Sequence, residues 1–165
     1  MLMMCQNVRI SLKEYVENNY LRKEIDKNYE TLKITVSELD ANIRLAVENA
    51  PYKTIVTSNS AYKFLEKYGV KVYLVNDDTS SKDLSEIDTL IKQGKITKIF
   101  NYEEDKTTAN VQNIINKYPN TISFVSFKHM NLLTEEARKN KSDYVTLMNQ
   151  NLDTLKEELY HGTSN

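Results

Sequence analysis

The sequence predicts an α/β fold, a four-stranded parallel sheet flanked by helices and preceded by a long linking helix. Four of the five glycines and prolines, Pro51, Gly69, Gly94 and Pro119, fall where a helical apolar pattern gives way to a short β-prone run. Gly can take the left-handed position that ends a helix and Pro cannot continue one, so each marks the end of a helix before a strand. The β-prone runs alternate with helical patterns of about 10–15 residues, the spacing of parallel strands joined by right-handed crossovers. Upstream of Pro51 the apolar spacing is helical throughout.

Met4, Val8, Leu12 and Tyr15 or Val16 recur at helical steps, so the first 18 residues read as an amphipathic helix that starts without a cap. A second helix runs from about Arg22 to Asn49, with Ile25, Tyr29, Leu32, Val36, Leu39, Ile43 and Val47 on one face. That stripe fits a long helix lying across a domain. A coiled coil also fits the spacing, but the complementary flanking charges it needs are not evident. After Pro51, Lys53 to Ser58 reads as a strand, followed by a helix with Ala61, Phe64, Leu65 and Tyr68 on one face, ended by Gly69. Val70 to Asn76 is the next strand, and a helix marked by Leu84, Ile87, Leu90 and Ile91 ends at Gly94. Ile96 to Tyr102 is a third strand; a helix with Val111, Ile114, Ile115 and Tyr118 stops before Pro119, and Thr121 to Phe127 is the fourth strand. A loop from about Lys128 to Lys141 leads to a last helix striped by Tyr144, Leu147, Met148, Leu152, Leu155 and Leu159, and the tail after Tyr160 is expected to fray. The expected organisation is a helical segment over 1–50, an α/β lobe over 51–160 and a tail over 161–165.

The 165 residues, 40% hydrophobic and 27% charged, suit one globular core. With 22 basic and 23 acidic residues the net charge of −1 creates no field that would draw in nucleic acid or an anionic membrane, so no nucleic-acid partner is expected. Cys5 has no second cysteine to pair with. Leu2-Met3-Met4-Cys5 superficially resembles a lipoprotein cleavage site but lacks a basic stretch and a long apolar run, and it reads as helix.

Ligands of parallel sheets sit beyond the carboxyl ends of the strands. Three segments qualify: Ser58 to Ser60, Asn76 to Ser81 and Lys128 to Asn131. No glycine-rich phosphate loop occurs. Ser58-Asn59-Ser60 opens a helix, where such residues act above all as caps and also suit an anion. Neither serine has an evident histidine base, since the chain holds only His129 and His161, so nucleophilic catalysis has little support and no enzyme is expected. Asp77-Asp78 and Glu103-Glu104-Asp105 read as solvated turn residues or helix-start charges rather than as a cation site. His129 follows a strand on the ligand-binding edge, beside Met130.

The stretch Ile55-Val56-Thr57-Ser58-Asn59-Ser60-Ala61-Tyr62-Lys63-Phe64-Leu65-Glu66-Lys67-Tyr68-Gly69-Val70 resembles the solute-binding proteins of zinc and manganese ABC transporters, a family that includes adhesin-like surface lipoproteins. Asp143-Tyr144-Val145-Thr146-Leu147-Met148-Asn149-Gln150-Asn151-Leu152-Asp153-Thr154-Leu155 is similar to the family's closing helix, Met4-Cys5-Gln6-Asn7-Val8 to the helix after its second ligand, and the long second helix to its rod between lobes. The resemblance implies the rod and C-terminal lobe of a two-lobed receptor without its N-terminal lobe, either a fragment or a shortened product. Such receptors hold a metal between lobes with about four side chains. Two of those positions carry over, Asn59 where the family usually has His or Glu, and His129 where it usually has Asp. An amide oxygen is a weak zinc ligand, while manganese takes oxygen more readily, so the site on this chain is expected to be incomplete or degenerate.

The resemblance further implies Zn²⁺ or Mn²⁺ as cargo in the whole receptor, an ABC permease and its ATPase as partners, and an extracytoplasmic location, periplasmic or as a surface lipoprotein. The long helix would serve as a stiff spacer, and the exposed apolar rim of an isolated lobe would drive self-association. The competing expectation is a degenerate relative that serves as a metal-independent binding or adhesion module.

Overall fold

The computed structural model describes residues 2–102, 106–128, 135–140 and 142–162. The helices are α1 (Leu2–Tyr15), α2 (Asn19–Glu48), α3 (Ser81–Lys92), α4 (Ala109–Lys117), α5 (Glu135–Lys139) and α6 (Tyr144–Leu159). The strands are β1 (Thr54–Thr57), β2 (Lys71–Leu74), β3 (Lys98–Tyr102) and β4 (Ser123–Phe127). Contacts divide the chain into two units, Met1–Asn42 and Ile43–Asn165.

In the first unit α1 and the start of α2 are tied by charge. Asp26 accepts from Arg9 Nε and from Lys13 Nζ, both at 2.7 Å, and these two cations hold its carboxyl below the ordinary carboxylate range. Asn18 begins α2 by accepting from the Tyr20 and Leu21 amides, which places the start before the expected Arg22. An apolar groove of about 330 Å³ runs between Met4, Val8 and Leu12 on α1 and Ile25, Tyr29 and Leu32 on α2. No helix among the described residues is long and apolar enough to cross a membrane.

The second unit is the parallel sheet, in the order β2-β1-β3-β4. Thr54 pairs with Lys71, Val56 with Ile99 and Phe100 with Val125. Side chains alternate across the strands, so each strand supplies two cores. Val56, Tyr73 and Ile99 meet Ile87 and Ile91 of α3 and Val111 of α4 on one face. On the other, Phe100 stacks on Phe127 at 4.5 Å, beneath Tyr62. Because β2 lies to one side of β1 and β3 to the other, connections of a single hand must cover opposite faces, which accounts for this division.

Short side chains cap three of the helices in the second unit. Ser80 accepts from the Asp83 amide, Thr108 from that of Val111 and Asp143 from that of Thr146. Asp88 of α3 receives Lys117 and Tyr118 from the end of α4, and also Lys92. α6 buries Leu147, Met148, Asn151, Leu152, Leu155, Glu158 and Leu159. Its fully buried Glu158 accepts from Thr97 N at 2.8 Å, Thr97 Oγ1 at 2.5 Å and Lys98 N at 3.2 Å, fixing the entrance to β3. His161, in the tail expected to fray, stacks on Tyr52 at 4.2 Å and has Nε2 2.8 Å from the Gly94 carbonyl oxygen.

Two elements differ from expectation. The segment after β1, Ser60–Tyr68, winds as a 3₁₀ helix. Its buried residues are Tyr62 and Leu65, with Tyr68 half-buried, a period of three that eclipses side chains along one edge. Ala61, placed on the apolar face by an α-helical reading, is exposed. The supposed loop between β4 and α6 contains α5, too short and too polar to leave a periodic signal.

Candidate functional site

The order β2-β1-β3-β4 makes the carboxyl ends of β1 and β3 the point where successive connections diverge, the place where a parallel sheet opens a crevice. Ser58, Asn59 and Ser60 follow β1 at that point. The chain turns there through the fully buried Thr57, whose hydroxyl accepts from the Asn59 amide at 3.1 Å and donates to the Asn59 carbonyl at 3.2 Å. The ladder continues one residue past β1, since Ser58 N donates to Phe100 O at 2.9 Å.

Asn59 is half-buried and caps the 3₁₀ helix, its Oδ1 accepting from Ala61 N at 2.8 Å. The capping role expected of this residue is therefore filled. An amide oxygen of this kind is a neutral ligand type that suits Mn²⁺ better than Zn²⁺. Ser58 Oγ beside it is buried without a hydrogen-bond partner among the described residues, and nothing in the structure explains it.

His129, the other ligand position implied by the resemblance, lies outside the described residues, as does the acidic run Glu103-Glu104-Asp105. The residue before it, Lys128, is described and is firmly held. Asn151 of α6 accepts from Lys128 N at 2.7 Å and donates to Lys128 O at 3.0 Å. The same side-chain nitrogen donates to Tyr62 Oη at 3.1 Å. Tyr62 lies in the 3₁₀ helix that Asn59 starts, its ring stacked on Phe127 at 4.2 Å and tilted against Tyr102 at 5.1 Å. Burial, and then the Tyr102 hydroxyl, push the Tyr62 phenol well above its ordinary pKa, so it stays protonated.

The other candidate loop has a structural role. Asp77 accepts from Ala109 N at 3.0 Å at the start of α4, and Asn110 Nδ2 donates to Asn76 O at 2.8 Å. This Asp is a helix-start charge, as its sequence context suggested. Among the described residues, no group of three or more His, Cys, Asp or Glu side chains is placed to hold a metal ion.

Sequence reasoning passed over Asn151 and Tyr62. A signal for the first existed, because Asn151 interrupts the apolar stripe between Leu147 and Leu155, where a polar side chain must find partners in the core. Tyr62 gave none, since its burial depends on 3₁₀ winding.

The chain resembles several zinc-binding proteins along most of its length. It is 28% identical over 158 residues to the zinc-binding protein AdcA of Streptococcus pyogenes serotype M6, a match covering 92% of this chain and 30% of that protein. Against the Zn(II)-bound ZnuA-like domain of Streptococcus pneumoniae AdcA the TM-score is 0.66 at 23% identity, covering 93% of this chain and 58% of the other. The laminin-binding protein Lmb of Streptococcus agalactiae, described as bifunctional with adhesin and metal transporting activity, gives a TM-score of 0.71 at 16% identity over 93% and 58% of the two chains. These structural likenesses bear on the fold. The chain thus spans about a third of the full-length AdcA proteins and under two thirds of these solved chains. The model of the family described as zinc-uptake complex component A, periplasmic, matches residues 1–158, and the chain belongs to that family.

Proposed function

We propose that this chain supplies the C-terminal portion of an extracytoplasmic metal receptor, periplasmic or held at the cell surface, that delivers a divalent ion to an ABC permease driven by its ATPase. Zn²⁺ is the first cargo to test and Mn²⁺ the second. In this reading the chain contributes Asn59 and His129 to the ion, one amide oxygen and one imidazole, and no bond is made or broken. The observation that carries it is the family match over residues 1–158. It is supported by the place of Asn59 at the sheet's divergence point, next to the 3₁₀ helix whose Tyr62 is linked to the end of β4.

With only one good ligand, the chain should bind Zn²⁺ weakly, water completing the coordination. Calorimetric titration of the wild-type chain, His129→Ala and Asn59→Asp tests this. His129→Ala should weaken binding by about tenfold or more, the range in which metal affinity responds to changes around a site. Asn59→Asp keeps a capping oxygen and adds a charge that zinc prefers, so binding should tighten by roughly tenfold. Affinities that ignore both substitutions would refute the assignment.

A second reading, a metal-independent binding or adhesion module, draws on the commitment of Asn59 Oδ1 to Ala61 N and on the adhesin activity attributed to Lmb. Unaltered protein that takes up neither Zn²⁺ nor Mn²⁺ would favour it.

A further inference from the structure

Resting on that reading, we propose that Thr57 is a positioning residue for metal binding at Asn59. Its buried hydroxyl closes on both backbone polar groups of Asn59 and fixes where the chain presents the Asn59 carboxamide beyond β1.

Thr57 is the last residue of β1, a strand paired with β2 on one side and β3 on the other. Its carbonyl oxygen accepts from Val75 N at 2.8 Å, and the amide of the same peptide unit, Ser58 N, donates to Phe100 O at 2.9 Å. That one peptide group is therefore tied to chain on both sides of β1. Asn59 lies just past it, and the Thr57 hydroxyl spans the gap. A hydroxyl has one proton to donate and two lone pairs. This one donates to Asn59 O at 3.2 Å and accepts from Asn59 N at 3.1 Å. Thr57 is fully buried, so bulk water does not compete for either bond.

Asn59 itself is extended, with φ of −122° and ψ of 129°, and its Oδ1 caps the 3₁₀ helix through Ala61 N. The hydroxyl does for it what a neighbouring strand does inside a sheet, taking up one N–H and one C=O. Threonine suits the task because a β-branched side chain has few χ1 rotamers, so the buried methyl helps to aim the oxygen. A ligand residue held on a rigid strand end needs no ordering when the ion arrives, and ordering on binding would detract from affinity. Val keeps the shape of Thr without the oxygen, and Ser keeps the oxygen without the methyl. The two substitutions therefore separate the hydrogen bonds from the packing.

The test uses Mn²⁺ alone, whose unpaired electrons broaden nearby resonances even where a weak site is only partly filled. The full chain is titrated and ¹H–¹⁵N spectra are read at the Asn59 backbone and side-chain amides in wild type, Thr57→Ser, Thr57→Val and Ile87→Val. Ile87 packs with Val56, whose side chain lies on the sheet face opposite that of Thr57, and serves as a stability control. Wild type and Thr57→Ser should broaden at Asn59 with Kd values within about threefold of each other, while Thr57→Val should bind about tenfold or more weakly. Thr57→Val should also expose the Asn59 amide to faster hydrogen exchange, and Ile87→Val should melt earlier with the wild-type Kd. Thr57→Val with the wild-type Kd, or Thr57→Ser or Ile87→Val as weak as Thr57→Val, would overturn the positioning role and leave the metal reading intact. So would an unprotected Asn59 amide in wild type, a measurement that needs no variant to fold. Asn59 signals that stay sharp in wild type as Mn²⁺ is added would overturn the metal reading, and this proposal with it.

Discussion

Two polar residues of α6 carry much of the order in the second unit, and both act on backbone far away in sequence. Asn151 fixes the end of β4, and Glu158 gathers the Thr97 amide, the Thr97 hydroxyl and the Lys98 amide at the start of β3. A fully buried carboxylate is tolerable because those donors satisfy it. Removing it takes the partner from the part-buried Thr97 and Lys98 amides and from the Thr97 hydroxyl, so Glu158→Ala should cost about 3 kcal/mol in urea unfolding. A loss under about 1 kcal/mol would show that water or a rearrangement replaces the carboxylate. Neither partner set was readable in the sequence. An Asn inside an apolar stripe announces that it needs partners, yet nothing local names Lys128 and Tyr62. Glu158, next to Leu159 and two charged neighbours, looks like a solvated charge.

Helices and strands were more legible, because their causes are local. Gly69 takes φ of 93° and ends the 3₁₀ helix, and Gly94 takes φ of 66° after α3, the left-handed geometry for which these glycines were read as breakers. The four strands fall inside the runs marked by β-prone residues. The winding of Ser60–Tyr68 was not legible, since over so few residues Ala61, Phe64, Leu65 and Tyr68 suit a period of 3.6 as well as Tyr62, Leu65 and Tyr68 suit a period of three. Charges between elements set a pH dependence. Hydrogen bonds from Lys117, then Lys92 and Tyr118, hold the Asp88 carboxyl well below its ordinary range, linking α3 to the end of α4. A carboxyl more acidic in the folded state than in the unfolded one stabilises the fold fully at neutral pH. That contribution fades as pH falls through the ordinary carboxylate range toward the lowered value, because the unfolded chain takes up the proton first. Melting temperature should therefore fall below about pH 5, with a shallower acid limb in Asp88→Asn. Equal acid limbs in both proteins would place the loss elsewhere.

For the whole molecule, the parallel order β2-β1-β3-β4 determines which loops lie beyond the carboxyl ends of the strands, and the chain belongs to the family described as zinc-uptake complex component A, periplasmic. One of the two implied ligands, Asn59, was legible as both cap and ligand position, and the structure fills the first role. The other, His129, follows directly on the residue that Asn151 clamps. The proposed function rests on this chain offering a metal one imidazole, from His129, and one amide oxygen, from Asn59. X-ray absorption at the zinc edge on the Zn²⁺-loaded chain tests it most directly. The account predicts nitrogen and oxygen neighbours at about 2.0–2.1 Å with the multiple-scattering signature of a single imidazole, lost in His129→Ala. A sulfur neighbour at about 2.3 Å, which would implicate Cys5, or an imidazole signature that survives His129→Ala, would contradict it.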